Sequence, residues 1–126
     1  MKPFAILFAA LGIGCSMPEP SRVQPVRVGV HGEAELDACL GVGEITARVD
    51  ARLAPHASAL ATTSLLAGQT VHLCGSSEDG EWESVVVFAS GGPDCGVSQP
   101  VSAPQVYAGP CRSGWVPRNH NRVLAG

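Results

Sequence analysis

The chain has 126 residues, room for one small domain, and carries a net charge of −3 from 8 basic and 11 acidic residues. No basic patch is present, which argues against nucleic acid as a partner. Beyond residue 15 the aromatic side chains are Trp82, Phe88, Tyr107 and Trp115; a domain of this size buries only ~60–70% of its unfolded surface, so one this poor in aromatic bulk needs a staple.

The first residues place Lys2 before the apolar run Phe4–Gly14, which stops at Cys15 and gives way to Ser16-Met17-Pro18-Glu19-Pro20. One positive charge and a short apolar run form a secretory signal pattern, and the run is too short to span a bilayer. The junction resembles a bacterial lipoprotein cleavage site. Ile13 and Gly14 suit the positions before the cysteine, whereas Gly12 stands where Leu is usual. The resemblance implies a signal peptide over 1–14 and lipidation at Cys15, and Ser16 implies sorting to the outer membrane. The chain is then exported, periplasmic and lipid-anchored, touching the membrane through its anchor alone. Setting Cys15 aside leaves Cys39, Cys74, Cys95 and Cys111, an even set that reads as two disulfides in an oxidising compartment. Ordinary cleavage nearby, with a free or removed thiol, is the alternative.

Residues 15–35 read as a tether, extended by Pro18, Pro20 and Pro25. Within it Val26-Arg27-Val28-Gly29-Val30 alternates, as either a short strand or the tether's end. The domain is expected over 36–126. Leu36–Thr46 reads as a first strand whose glycines mark a bend or bulge. Ala47–Leu53 is a second extended piece, broken by Ala54–Ser58. Ala59–Leu66 has helical propensity, but its strand-like flanks favour a loop and a short strand at Thr63–Leu66. Val71-His72-Leu73-Cys74 alternates at period two, Gly75–Gly80 is a polar turn, and Glu81–Val87 is a β-branched run opening near Trp82. That is a β-hairpin around which a small barrel closes. Ala89–Ser113 is rich in glycine and proline, a long loop with Cys95 and Cys111 near its ends. A bridge between them would close a loop of roughly 15 residues and contribute ~3 kcal/mol. Gly114-Trp115-Val116 starts a final strand, and Asn119–Leu124 is a turn with a closing segment.

Four pieces in order, Arg52-Leu53-Ala54-Pro55, Leu66-Ala67-Gly68, Gly80-Glu81-Trp82-Glu83-Ser84-Val85 and Gly114-Trp115-Val116, resemble bacterial SH3-like domains over roughly Asp37–Leu124. The resemblance implies an all-β fold, a small, partly open SH3-like barrel of about five strands. The departure is residues 89–113, a cysteine-bearing insert where the family has a tight turn. In such a barrel the first strand runs antiparallel to the second long strand, which implies a Cys39–Cys74 pair and leaves Cys95–Cys111 to staple the insert; spacing alone leaves the other pairings open.

A thiol nucleophile would need Cys74 or Cys111 beside His72, His120 or His56, with a third group to orient the base. Disulfide formation removes the thiolate, so no catalytic residue is expected. His72 and Cys74 share a strand face at i and i+2, but zinc needs about four ligands and His31, His56 and His120 are scattered; an exposed strand histidine, with no metal or cofactor, is the simpler account. Glu78, Asp79, Glu81 and Glu83 read as a solvated turn guarding an edge. Trp82 reads as core, with Trp115 open between core and groove. Tyr107, on the closed loop, reads as an exposed binding anchor. Arg112 and Arg118 flank it and could hold a carboxylate bidentately; Arg52 could do likewise or serve its own turn. The expectation is a monomeric, non-catalytic envelope module that grips a cell-wall peptide or envelope protein. The alternative is a structural or assembly lipoprotein that docks to another envelope protein.

Overall fold

A computed structural model describes residues 22–30, 36–89 and 91–126. The expected signal peptide over 1–14 and the lipidation at Cys15 lie outside the described residues. The described strands are β1 (Arg27–Val28), β2 (Gly41–Ile45), β3 (Val49–Arg52), β4 (Ala61–Leu65), β5 (Thr70–Ser76), β6 (Trp82–Val87), β7 (Gln105–Val106), β8 (Ser113–Pro117) and β9 (Asn121–Ala125). A single 3-10 turn, Arg118–His120, separates the last two. The fold is all-β.

The period-two run at Val71–Cys74 forms the centre. β5 and β6 pair antiparallel, with Val71 opposite Val87 and Leu73 opposite Val85. Ser77 shapes the turn between them, its Oγ accepting from the Trp82 N–H at 3.1 Å and donating to the Asp79 carboxylate at 2.6 Å. Short polar side chains that bond the local backbone in this way are what turns select.

Around the hairpin a seven-stranded antiparallel sheet runs in the order β4-β3-β8-β6-β5-β2-β9. Its inner face buries Ile45, Ala51, Leu65, Val71, Leu73, Val85, Val87 and Val116 in one cluster. Leu65 of β4 and Ile45 of β2 share that cluster although four strands lie between them, so the sheet is strongly curled. The Leu66–Gln69 turn tightens the curl: Ile45 N–H donates to Gln69 O at 2.9 Å and Gly68 N–H to Ile45 O at 2.8 Å. The curl does not close. Among the described residues β4 and β9 each pair with one neighbour and stand as edges, so the expected barrel of about five strands is replaced by an open, longer sheet. β9 is the addition that changes the count, lying along β2 with a bulge between Val42 and Gly43, where the glycines of the first strand foretold one.

Hairpins with one core face leave the other in water; here the outer face is covered as well. Val26, Val28, Ala38, Cys39, Cys74, Val86, Cys95 and Val97 form a second buried cluster. Three segments lay it over the sheet, with Ala38 and Cys39 coming from residues 36–40. The first is residues 22–30, in which Val26 and Val28 are only 5% and 4% exposed, so the packed domain begins within the stretch read as tether. The second is the insert, whose β7 pairs with β1, Arg27 opposite Val106 and Val28 opposite Gln105. Backbone bonds knit them together, from Gly29 N–H to Ala38 O at 2.8 Å and from Cys39 N–H to Val97 O at 3.1 Å. Residues 36–40, read as part of the first strand, belong to this outer layer instead, while β4 extends earlier than the expected Thr63 start.

Disulfides join Cys39 to Cys74 and Cys95 to Cys111. The first ties the outer layer to β5; the second closes the insert on itself. Their sequence separations of 35 and 16 set their relative worth, because a longer loop removes more denatured-state entropy. Denaturant titration of Cys39→Ala/Cys74→Ala is expected to show a loss of about 4 kcal/mol, against about 3 kcal/mol for Cys95→Ala/Cys111→Ala. Equal losses, or none, would contradict the assignment.

Candidate functional site

Trp115 lies at the middle of β8, opposite Arg52 of β3 and Ser84 of β6. It is 5% exposed, and its Nε1–H donates to Gln24 O at 2.7 Å. A buried indole needs such an acceptor, and residues 22–26 supply it from above. Trp82, read as core, is only half-buried, because it opens β6 next to the hairpin turn.

Arg52 first serves its own turn. Its Nη1 donates to Ala59 O at 2.8 Å and its Nη2 lies 3.9 Å from the Asp50 carboxylate. The five donors of a guanidinium are not exhausted by these contacts.

Tyr107 is not the exposed anchor its loop position suggested. Its ring is half-buried, and its hydroxyl donates to Cys95 O at 2.9 Å and accepts from Cys111 N–H at 3.2 Å. One phenol thus bridges the backbones of both cysteines of the insert. Gly109 lets the ring lie there, since a Cβ at that position would stand 2.7 Å from the ring's Cε1. The backbone N–H of Tyr107 meanwhile donates to Val26 O at 2.9 Å.

Arg52, Tyr107 and Trp115 converge on one cleft of about 190 Å³, roofed by Val23, Gln24 and Pro25. Arg112 and Arg118 do not join them. Arg112 donates to Thr63 Oγ1 at 2.6 Å, on the β4 side, while Arg118 donates to Gly80 O at 3.2 Å, at the hairpin tip. They flank β8 at its two ends, and at ~3.3 Å per residue their backbones stand roughly 20 Å apart. They therefore cannot grip one carboxylate together. Arg118 instead borders a groove of about 460 Å³ with Trp82, Glu81 and Pro117.

The roof residues were not legible as site residues. Their only signal was the alternation at Val26 and Val28, and their contact with Trp115 spans 91 residues of chain.

His72 is buried, 7% exposed, and not the exposed strand histidine expected. Its ring stacks on Phe88 at 4.1 Å between centroids. Burial holds its pKa below the usual histidine value, against a smaller upward pull from Asp94. All four described cysteines are in disulfides, so a thiolate paired with His72 has no thiol to draw on. Among the described residues no three His, Cys, Asp or Glu side chains gather as a metal site would require. Asp79 of the acidic run is engaged in the turn: hydrogen bonds from Ser77 and from the Glu81 N–H hold its carboxyl below the usual range. Comparison with protein-family models, curated proteins and solved structures returned no match to this chain.

Two outcomes follow from these contacts. Tyr107→Phe strips the partner from two backbone groups and is expected to cost ~1–3 kcal/mol in denaturant titration while hastening reduction of the Cys95–Cys111 bond. A stability equal to the parent's would show that the phenol is idle. For His72, a folded pKa below the unfolded value means the unfolded chain binds more protons at mildly acid pH, so its contribution is present above the unfolded pKa and is lost as pH falls below about 6.5. Thermal melting should decline across that range in the parent and decline less in His72→Phe, which keeps an aromatic ring against Phe88.

Proposed function

We propose that the protein is a non-catalytic binding module of the cell envelope, taking a cell-wall peptide or an envelope protein on the insert and the adjoining sheet face. The observation that carries this reading is the convergence of Arg52, Tyr107 and Trp115 beneath residues 23–25. It places a guanidinium and two aromatic rings around an apolar slot on a rigid, disulfide-held scaffold, which is the composition of a peptide-binding surface. The four-piece resemblance to bacterial SH3-like domains supports the same class; in this reading the curled sheet is such a domain, opened at its edges and overlaid by the insert. The lipoprotein-like junction at Cys15 and the paired cysteines support export, anchoring by lipid and an outer-membrane address.

A second reading, a structural lipoprotein docking to another envelope protein, is favoured by the free edges. β4 is flanked by Leu60 and Leu66, 73% and 58% exposed, and β9 carries Val123 and Leu124, 63% and 53% exposed. Open strands bordered by apolar side chains invite pairing with another chain.

Purified cell-wall sacculi separate the two. Retention that survives about 1 M salt, where charge attraction reaches only ~3 Å, and that falls in Val23→Asp at the exposed rim of the slot, is the expected result. Absence of retention by the parent protein transfers the weight to docking through the sheet edges.

A further inference from the structure

We infer that a second cleft, between residues 24–30 and the β5–β6 hairpin, receives a small carboxylate with a short aliphatic tail. It lies on the other side of Gln24 and Pro25 from the slot of Arg52 and Tyr107, and has a volume of about 200 Å³. That is below the ~300–1,000 Å³ of drug-sized pockets, so its occupant is a few carbons long.

The inference starts from Ser84. This residue is 2% exposed on β6, and its Oγ has no hydrogen-bond partner among the described residues. No fully enclosed side-chain nitrogen or oxygen is left unpaired among them, so the Ser84 hydroxyl keeps its access to solvent, and the cleft it lines is that access. A hydroxyl whose access to solvent is a small cleft is free to donate to whatever occupies that cleft. Gly75, its ladder partner on β5, keeps the space above it open: a Cβ there would lie 3.2 Å from Ser84 Oγ and 3.6 Å from Val30 Cγ2.

The lining decides the charge of the occupant. Arg27 stands at the rim, exposed, in no ion pair among the described residues, and none of the described residues that line the cleft is Asp or Glu. A hydroxyl donor at the floor and a guanidinium at the mouth suit an anion with two acceptor oxygens, which the guanidinium fork takes bidentately. Pro25, Val30 and Trp115 form the apolar remainder of the wall, which suits an aliphatic tail over a bare inorganic ion. The envelope-binding reading uses neither Ser84 nor Arg27, so each proposal can fail without the other.

Titration of the ¹⁵N-labelled protein, followed by NMR, tests it with three probes: butyrate, N-acetyl-alanyl-alanine and the C-terminal amide of that dipeptide. Saturable shifts at the Gly75 and Ser84 amides and at the Trp115 indole N–H are expected with both acids and not with the amide. Tighter binding of the dipeptide acid identifies a peptide C-terminus as the source of the carboxylate; tighter binding of butyrate identifies a free short-chain acid. Arg27→Gln should weaken binding about tenfold by loss of the charge-assisted pair. Gly75→Ala should abolish it by filling the floor, and Ser84→Ala gives an independent reading should Gly75→Ala not fold. No saturable shift with either acid, equal binding of the amide, or an unchanged affinity in Arg27→Gln overturns the proposal.

Discussion

The outer face of the sheet has to be kept dry, and three short, nearly strandless segments, residues 22–30, 36–40 and the insert, do it. Val26, Val28, Ala38 and Val97 supply small apolar side chains that pack with Cys74 and Val86. None of these is large, and β1 and β7 contribute two residues each to the only ladder between the segments among the described residues. Such a layer has little cooperativity of its own, since a two-residue ladder fixes many dihedrals for few bonds. The disulfides make up the difference. Cys39–Cys74 fastens the layer to the central strand, and Cys95–Cys111 restricts the insert that carries β7. Tyr107 completes the arrangement by bonding to the backbone of both insert cysteines and, through its own N–H, to Val26.

The same layer builds the candidate sites. By lying across Trp115, residues 23–27 turn an open sheet face into two clefts, one on each side of Gln24 and Pro25. The indole faces both, anchored by its bond to Gln24 O. The inner core takes no part in this; its role is to hold β3, β6 and β8 in register so that Arg52, Ser84 and Trp115 stand side by side. Recognition therefore depends on the outer layer, and its loss would dismantle both clefts while leaving the inner face packed.

How much of this was legible follows from the range of each interaction. The central hairpin was visible because alternation at Val71–Cys74 and the polar turn after it are local. The Cys39–Cys74 pair followed from a topology in which β2 lies antiparallel to β5, and that adjacency is present, with Gly41 opposite Leu73. The side-chain roles were harder. Tyr107 and His72 were both assigned to the surface, because nothing within a few residues of either shows that Val26, Cys95 and Phe88 come to meet them. Arg112 and Arg118 were joined on sequence proximity, yet a strand between two residues drives them apart. β9 was read only as a closing segment, since its partner β2 lies at the other end of the domain. Ser84 gave no signal at all: a serine in a strand reads as an ordinary polar position until the strand on its open side is known to be glycine.

The account rests on the outer layer being held by sulfur bridges more than by its own packing. Amide hydrogen exchange of the oxidised and the fully reduced protein measures this directly. The account predicts that on reduction the N–H groups of Gly29, Cys39 and Tyr107 and the indole of Trp115 lose protection well before the amides of β5 and β6. Retained protection at those four groups in the reduced protein would contradict it.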